Sequence, residues 1–301
     1  MVTTANKISQ APLSQIKTDY PLTQEQINRY HRDGFVIIPG FFKAEEVEPL
    51  QDSLEKETSQ YESREITHFD GVGKKYGILY WTQLGDSVLG IFPRLARIVD
   101  GIEVLSGEEC YHWHSKIARK PPQSGRIEWH QGFGSWYYDG CVFPNMVTCS
   151  VAIGESTKEN GCLQVIKGSH RLGRLDIVSI GNTVGTDPER LKIVLQQMEV
   201  VDCEMSPGDT IFFHSNTLHG SPPNKSDRTR SMIHCAYSGI SNAPFIKEGQ
   251  EHHKYSPIQK LSDTFLLEHQ SMFVMENGVE VYRPNSGKDK PYMNINPYDQ
   301  E

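Results

Sequence analysis

The sequence predicts a mainly β protein with flanking helices, its centre an all-β barrel or a double-sheet jelly roll. Three observations carry this. From Glu109 to Tyr237 the chain is a succession of short strand-like runs separated by turn signals. Cys110–Lys120 alternates, with Tyr111, Trp113, Ser115 and Ile117 on one face and His112, His114, Lys116 and Ala118 on the other. The part before Glu109 instead carries helical periodicity.

Residues 1–20 are polar and aperiodic, a lead-in without predicted structure. Thr23–Asp33 is a predicted helix. Thr23 is its N-cap, Gln26 completes a capping box and Gly34 ends it. Phe35–Pro39 is a short buried strand. Lys43–Ser59 is a second amphipathic helix with Val47, Leu50 and Leu54 on one face. Residues 60–85 hold Gly71, Gly73, Gly77 and the aromatics Phe69, Tyr76, Tyr80 and Trp81, and they read as a loop able to form a binding wall. This glycine-rich stretch lacks the G-K-[ST] ending of a phosphate loop. Asp86 to Ser106 is a third helix, interrupted by Pro93.

The predicted strands then follow: Cys110–Lys120, Asn145–Ile153, Gly161–Ile166, Met198–Met205, Thr210–His214 after the turn Pro207-Gly208-Asp209, and Arg228–Tyr237. One helix, Asp187–Gln197, interrupts them. Residues 241–301 are polar, proline-containing and aromatic-tipped, a C-terminal extension expected to wrap the core.

Composition narrows the function classes. The 301 residues suffice for one large domain or two small ones. A formal charge of −8 without any lysine or arginine run argues against a nucleic-acid partner. No stretch approaches the ~18–20 apolar residues of a membrane span. The N-terminus lacks the apolar core of a signal peptide, so a cytoplasmic location is expected. The six cysteines are dispersed, without a C-x-x-C pair, and read as buried free thiols. Asn224-Lys225-Ser226 matches a glycosylation sequon by chance.

The chemistry concentrates in Ile127-Glu128-Trp129-His130-Gln131-Gly132-Phe133-Gly134-Ser135-Trp136. A facial-triad iron site takes two histidines and one carboxylate and leaves positions open for oxygen and a co-substrate. The first two ligands commonly come as His-x-Asp or His-x-Glu, which places both on one face of a strand. Here the pair would be His130 and residue 132, and residue 132 is glycine. His219 supplies a second histidine. Arg230, eleven residues on, would approach it across a hairpin.

With these residues in view the chain resembles the phytanoyl-CoA dioxygenase family of iron(II)- and 2-oxoglutarate-dependent oxygenases. The opening Leu22-Thr23 to Ile37, Trp129-His130-Gln131, Glu159-Asn160-Gly161-Cys162-Leu163, Gly168-Ser169-His170, Pro207-Gly208-Asp209, His219-Gly220-Ser221 and Arg230 carry the resemblance in order. It implies a double-stranded β-helix, a cupin-like jelly roll. The oxygenase domain would span residues 21–240, with a helical part at 21–106 and the core at 107–240. It implies Fe(II), 2-oxoglutarate and O2 as cofactor and co-substrates, with a small-molecule substrate.

By the same resemblance His130 and His219 are the metal ligands, and Arg230 holds the distal carboxylate of 2-oxoglutarate. Ser221 and Thr148 would donate hydroxyls to that co-substrate. Lys116 or His114 could also face it, and Trp136 would line the site. Phe69, Tyr80, Trp81, His112 and His114 are candidate substrate walls. His31, His68, His252 and His253 lie in no motif, and His170 reads as structural.

Gly132 leaves three explanations. In halogenases similar to this family, glycine or alanine replaces the aspartate and chloride takes the opened position. Glycine there accompanies free small-molecule substrates. Alternatively, Gly132 marks a hydroxylase, natural and atypical or with its aspartate replaced. The third explanation is a catalytically inactive binding module.

Overall fold

The computed structural model describes residues 22–56, 58–85, 87–244 and 255–268. Helix α1 (Gln24–Asp33) opens with the predicted capping box: Thr23 accepts from the Gln26 backbone, and the Gln26 side chain accepts from the Thr23 N–H. Gly34 ends it at φ 84°, a conformation that favours glycine. Strand β1 (Phe35–Ile38) follows, then helices α2 (Ala44–Lys56) and α3 (Thr58–Arg64).

The stretch 60–85, expected to be a loop, is instead the end of α3 followed by a hairpin of β2 (Ile66–Phe69) and β3 (Lys75–Trp81). Its glycines mislead. Gly73 makes the turn at φ 80°, whereas Gly77 sits inside a strand that pairs on both edges. The predicted third helix breaks as Pro93 requires. A short α4 (Val88–Ile91) and a 3-10 turn over Phe92–Arg94 precede α5 (Ala96–Ser106).

The remaining order is β4 (Cys110–Lys120), β5 (Ile127–His130), α6 (Gly132–Trp136), β6 (Met146–Ala152), β7 (Leu163–Ile166), β8 (Ile177–Ile180), β9 (Thr183–Thr186), α7 (Pro188–Gln197), β10 (Val200–Cys203), β11 (Thr210–His214), β12 (His219–Ser221), β13 (Arg230–Gly239) and α8 (Phe265–Glu268). The β8–β9 hairpin has no counterpart among the sequence expectations.

A seven-stranded sheet in the order β1-β11-β6-β13-β4-β3-β2 faces a four-stranded sheet in the order β10-β7-β12-β5. The pairings are antiparallel. This is the jelly roll, mainly β with flanking helices. The outer face of the large sheet (Ile117, Cys149, Val151, Phe212, Ile233, Cys235) packs with α1, α2 and α5 into the main core. Its inner face meets the small sheet through Met232, Ala152, Ile211 and Phe213 against Leu163, Val165 and Cys203. All six cysteines are free and buried.

The described part of the C-terminal extension lies along α5. Asp263 pairs with Arg97, Lys260 with Asp100 and Glu103, and Leu261 exchanges backbone bonds with Arg94 and Ala96. It therefore covers the helical layer rather than the space between the sheets. The rest of 241–301 and the lead 1–20 lie outside the described residues, except Ser241–Pro244. Among the described residues no helix is long and apolar enough to cross a membrane.

Candidate metal and co-substrate site

Two strands of the small sheet bring the histidines together. β5 and β12 pair antiparallel with His130 directly opposite His219, and the ring centroids are 4.1 Å apart. Each imidazole is fixed by the same local device. His130 Nδ1–H donates to the Glu128 carbonyl at 2.7 Å, and His219 Nδ1–H donates to the Thr217 carbonyl at 2.9 Å. A carbonyl only accepts, so Nδ1 carries the hydrogen and Nε2 keeps its lone pair. Burial, with the Lys116 ammonium nearby, lowers the His130 pKa to about 4. Burial and then His130 and Lys116 drive His219 well below its ordinary range. Both rings are neutral donors at neutral pH, which suits a ferrous ion. Among the described residues no group of three or more His, Cys, Asp or Glu could enclose a metal. Among the described residues the pair therefore presents two nitrogen donors with no carboxylate grouped beside them.

Residue 132 is not on the strand. β5 ends at His130, Gln131 is the N-cap, and Gly132 opens helix α6. The expectation of two alternate residues on one strand face is corrected accordingly. Gln131 clamps the turn: its amide donates at 2.8 Å to the carbonyls of Gly173 and Asn216, and its oxygen accepts from the Leu175 N–H at 2.7 Å. Four residues on, the Trp136 side chain leans back toward the helix N-terminus, as helical side chains do. A Cβ on Gly132 would lie 2.6 Å from its Cη2 and 2.9 Å from its Cζ3. The indole therefore covers the space where a carboxylate side chain would begin. It is 8% exposed and packs against Trp113 and the His114 ring, the latter at 5.5 Å.

The second half of the site spans the two sheets. β12 and β13 do not form the expected hairpin, because they belong to different sheets. The crossover brings Ser221 over the first residue of β13. Arg230 Nη2 donates to Ser221 Oγ at 2.8 Å and to the Gly161 carbonyl at 2.7 Å, with Nε on the same carbonyl at 3.1 Å. Gly161 adopts φ 76°, and a Cβ there would strike the Pro222 carbonyl, so the Asn160-Gly161 turn needs its glycine.

Lys120, paired with Arg230 across β4 and β13, donates to Ser221 Oγ at 2.7 Å and to the Pro222 carbonyl. Burial and the adjacent guanidinium lower it to about 6, whereas burial lowers Arg230 only to about 10. Arg230 is thus the resident cation and Lys120 a neutral donor at neutral pH. The alternation of β4 already pointed Lys120 inward, and sequence reading stopped two residues short of it.

The inner face of the large sheet supplies the rest. In register across it stand Tyr80, Lys116, His234 and Ser150, with Ser150 Oγ and His234 Nδ1 2.6 Å apart. Burial lowers Lys116 to about 8 and drives His234 well below its ordinary range. Thr148 is one pair further, beside Phe213, whose ring lies 4.8 Å from His219. Thr148 and Lys116 therefore stand at the histidine end, whereas Ser221 is at the Arg230 end. His114 faces inward between Tyr80 and Trp136.

Three expected wall residues are corrected. Trp81 points outward into the helical core, fully buried, its Nε1–H donating to the Leu89 carbonyl at 3.0 Å. Phe69 is 42% exposed, because alternation in β2 sends its neighbour His68 inward instead. His112 is turned away by a β-bulge. Ala236 pairs with His114 but Tyr237 with His112, so Trp113 is the extra residue and the phase flips. His112 lies against Tyr237, bonded to Ser115 Oγ at 2.8 Å and to the Thr82 carbonyl at 3.2 Å. Trp113 instead packs with Trp136 and Phe133.

His68 was passed over for want of a motif. It stacks on Tyr76 at 5.3 Å and meets Tyr80 at 6.2 Å, and neither ring nitrogen has a hydrogen-bond partner. The alternation in β2 was the signal that could have found it. His170 packs over Gly34, bonds the His31 carbonyl at 3.2 Å and takes no part in the site.

This jelly roll, with a histidine pair in one sheet and a buried arginine reached from the other, has the architecture of 2-oxoglutarate-dependent oxygenases. The sequence profile of the family Phytanoyl-CoA dioxygenase (PhyH) matches residues 30–232, and the chain belongs to that family of iron(II)- and 2-oxoglutarate-dependent enzymes. An ectoine dioxygenase of Bordetella bronchiseptica is 26% identical over 239 residues, covering 73% of this chain and 77% of the relative. An L-proline trans-4-hydroxylase of Streptomyces griseoviridis is 25% identical over 241 residues, covering 74% and 89%. The crystal structure of EctD from S. alaskensis in its apoform superposes with a TM-score of 0.68 at 24% identity, over 82% of this chain and 90% of that one. The epimerase SnoN from nogalamycin biosynthesis shares the fold at a TM-score of 0.60 and 19% identity, over 79% and 94%.

Proposed function

We propose that the protein functionalises an aliphatic C–H bond of a free small molecule by chlorination, with chloride in the coordination position that Gly132 leaves without a side chain. Iron, 2-oxoglutarate and oxygen together supply the oxidising power for C–H cleavage when bound. The chain's own part is to hold and orient. His130 and His219 present two neutral Nε2 donors, and Arg230 with Ser221 and Lys120 forms a donor cluster for the distal carboxylate of 2-oxoglutarate. Thr148 and Lys116 stand nearer the metal end, and Trp136 walls the position beside Gly132.

The observation that carries the reading is the donor set itself: two histidines on an intact framework and no third protein ligand among the described residues. Two neutral ligands leave a ferrous site with its full positive charge, which favours a small anion. Small-molecule names among the relatives, ectoine and L-proline, support a free substrate.

Hydroxylation is the second reading, favoured because relatives of the chain are named dioxygenases or hydroxylases. Anaerobic protein loaded with Fe(II) and 2-oxoglutarate separates the two. Under chlorination, sodium chloride titrates the visible charge-transfer band to saturation while sodium sulfate at equal ionic strength does not. A normal 2-oxoglutarate band that ignores chloride refutes chlorination and leaves hydroxylation. Absence of the band altogether, with no iron bound, points to an inactive module.

A further inference from the structure

We propose that Trp136, Trp113, Tyr111 and Tyr255 form a conduit that carries an oxidising equivalent from the metal site to the protein surface when no primary substrate is bound. The inference rests on His130 and His219 being the metal ligands and holds for chlorination and hydroxylation alike. The rings form an unbroken series. Trp136 lies beside Gly132 and against the inward-facing His114, and its centroid is 6.4 Å from that of Trp113. Trp113 is 6.4 Å from Tyr111, and Tyr111 is 5.4 Å from Tyr255. Rings at such spacings touch or nearly touch, so each hop of an electron is short. Trp113 and Tyr111 are buried, whereas Tyr255 is 40% exposed.

Indole and phenol rings give up one electron readily, whereas phenylalanine and the aliphatic side chains do not. A site that activates oxygen with no substrate in place discharges on its own walls, and Trp136 is the indole set against Gly132. In each pass Trp136 yields one electron to the metal site and is refilled in turn from Trp113, Tyr111 and Tyr255. The Tyr111 hydroxyl donates to the Asn242 carbonyl at 3.2 Å. A carbonyl cannot keep that proton at neutral pH, so Tyr111 is a relay rather than a terminus. Tyr255 releases its phenolic proton to water and is left as a neutral tyrosyl radical. Two passes, with two protons from solvent, supply the electrons that leave the site ferrous and its activated oxygen atom as water. A soluble ascorbate-type reductant restores Tyr255 each time with one electron and one proton.

The surrounding charges direct the transfer. Tyr137 and Tyr138 follow Trp136 in the chain, and Tyr137 is exposed. The Arg174 guanidinium, however, lies 4.7 Å from the Tyr137 ring centre and 5.7 Å from that of Tyr138. A fixed cation opposes removal of an electron from those rings. Tyr255 instead shares a surface cavity with Glu103 and Glu109. Lys260, in the same wall, is held by Asp100 and Glu103, so carboxylates outnumber ammoniums there and ease the loss of an electron. Cys141 packs in the same cluster as Trp136. Burial, with Asp139 nearby, pushes its thiol up to about 12, so it stays protonated and competes poorly for oxidation.

The test loads protein anaerobically with Fe(II), 2-oxoglutarate and sodium chloride, admits oxygen without any primary substrate, and freezes samples at successive times. Electron paramagnetic resonance should show a tyrosyl radical, and peptide mapping should show little oxygen added to Trp136. Tyr255→Phe keeps the ring and loses only the hydroxyl. It and Tyr111→Phe, each still forming the 2-oxoglutarate band before oxygen is admitted, should lower the radical at least fivefold and raise oxygen addition at Trp136 and Trp113 at least threefold. Ascorbate should erase the radical and protect Trp136 in the unaltered protein but not in Tyr255→Phe. Tyr137→Phe should behave as the parent. The proposal is overturned if no tyrosyl radical forms, if it persists at full amplitude in Tyr255→Phe, if Tyr137→Phe abolishes it, or if oxidation collects on Cys141. Failure of the unaltered protein to form the 2-oxoglutarate band is distinguishable from these and overturns the metal-site reading beneath the proposal.

Discussion

Placing an aspartate at position 132 should not simply build a facial triad, because the Trp136 indole lies against the site of its Cβ. A Cβ at 132 would stand 2.6, 2.9 and 3.0 Å from three indole carbons. Carbon contacts are comfortable at about 3.5–4.0 Å, so the ring must retreat by about an ångström. It retreats into neighbours, since Trp113, Phe133, Cys141, Met146 and Ala236 pack with it. Overpacking of this kind costs about 1–3 kcal/mol. Against it stand a gain of about 0.5–1 kcal/mol for removing a helical glycine and about 0.3–1 kcal/mol for an acid at a helix N-terminus. The net expectation for Gly132→Asp lies between a gain of about 1 and a loss of about 2 kcal/mol in metal-free protein, while the same change in a Trp136→Leu background should be neutral or stabilising. Urea unfolding in chelator across the four proteins of the cycle measures the coupling, expected to reach about 1 kcal/mol or more. Strict additivity of the two changes would refute the argument that the indole crowds a side chain at position 132.

Other consequences can be checked with standard measurements. Arg230→Gln removes the charge-assisted donor from a fully buried site, so 2-oxoglutarate affinity should fall by about tenfold to a hundredfold, read by anaerobic titration of the visible band. Trp81→Leu should destabilise the fold by about 2–4 kcal/mol through lost core packing and the lost bond to Leu89, whereas Phe69→Ser should lie within about 0.5 kcal/mol of the parent in the same urea assay. His68, His112 and His214 are held by burial at about 4, 3 and 4, below the ordinary 6.5. Under pH 6.5 the unfolded chain binds protons that the fold refuses, so stability falls as pH drops from 6.5 toward 4. The slope is up to about 1.4 kcal/mol per pH unit for each histidine. A flat urea midpoint between pH 7 and 5 would contradict that burial.

How much of this was legible beforehand depends on the range over which each signal acts. The Thr23 cap, the Gly34 stop, the break at Pro93 and the strand runs are local chemistry, decided within a few residues, and they read correctly from the chain. His130, His219 and Arg230 stood out as candidates because each sits in a short ordered motif. The sequence also carried the departure at Gly132, which needs no coordinates to see. Tertiary structure decided what pairs with what and which way each side chain points. The bulge at Trp113 reversed His112, a one-residue slip that no alternation pattern reveals because it depends on β13 opposite. Arg230 reaches Ser221 between two sheets rather than along a hairpin, a crossover set by sheet packing. His68 lacked a motif, and the register of β2 on β3 turns it inward against Tyr76. Gly132 itself is a helix start under an indole rather than a gap in a strand, because the clamp of Gln131 on Gly173, Leu175 and Asn216 ends β5 one residue early. Those contacts join segments more than forty residues apart in sequence, and only packing brings them together.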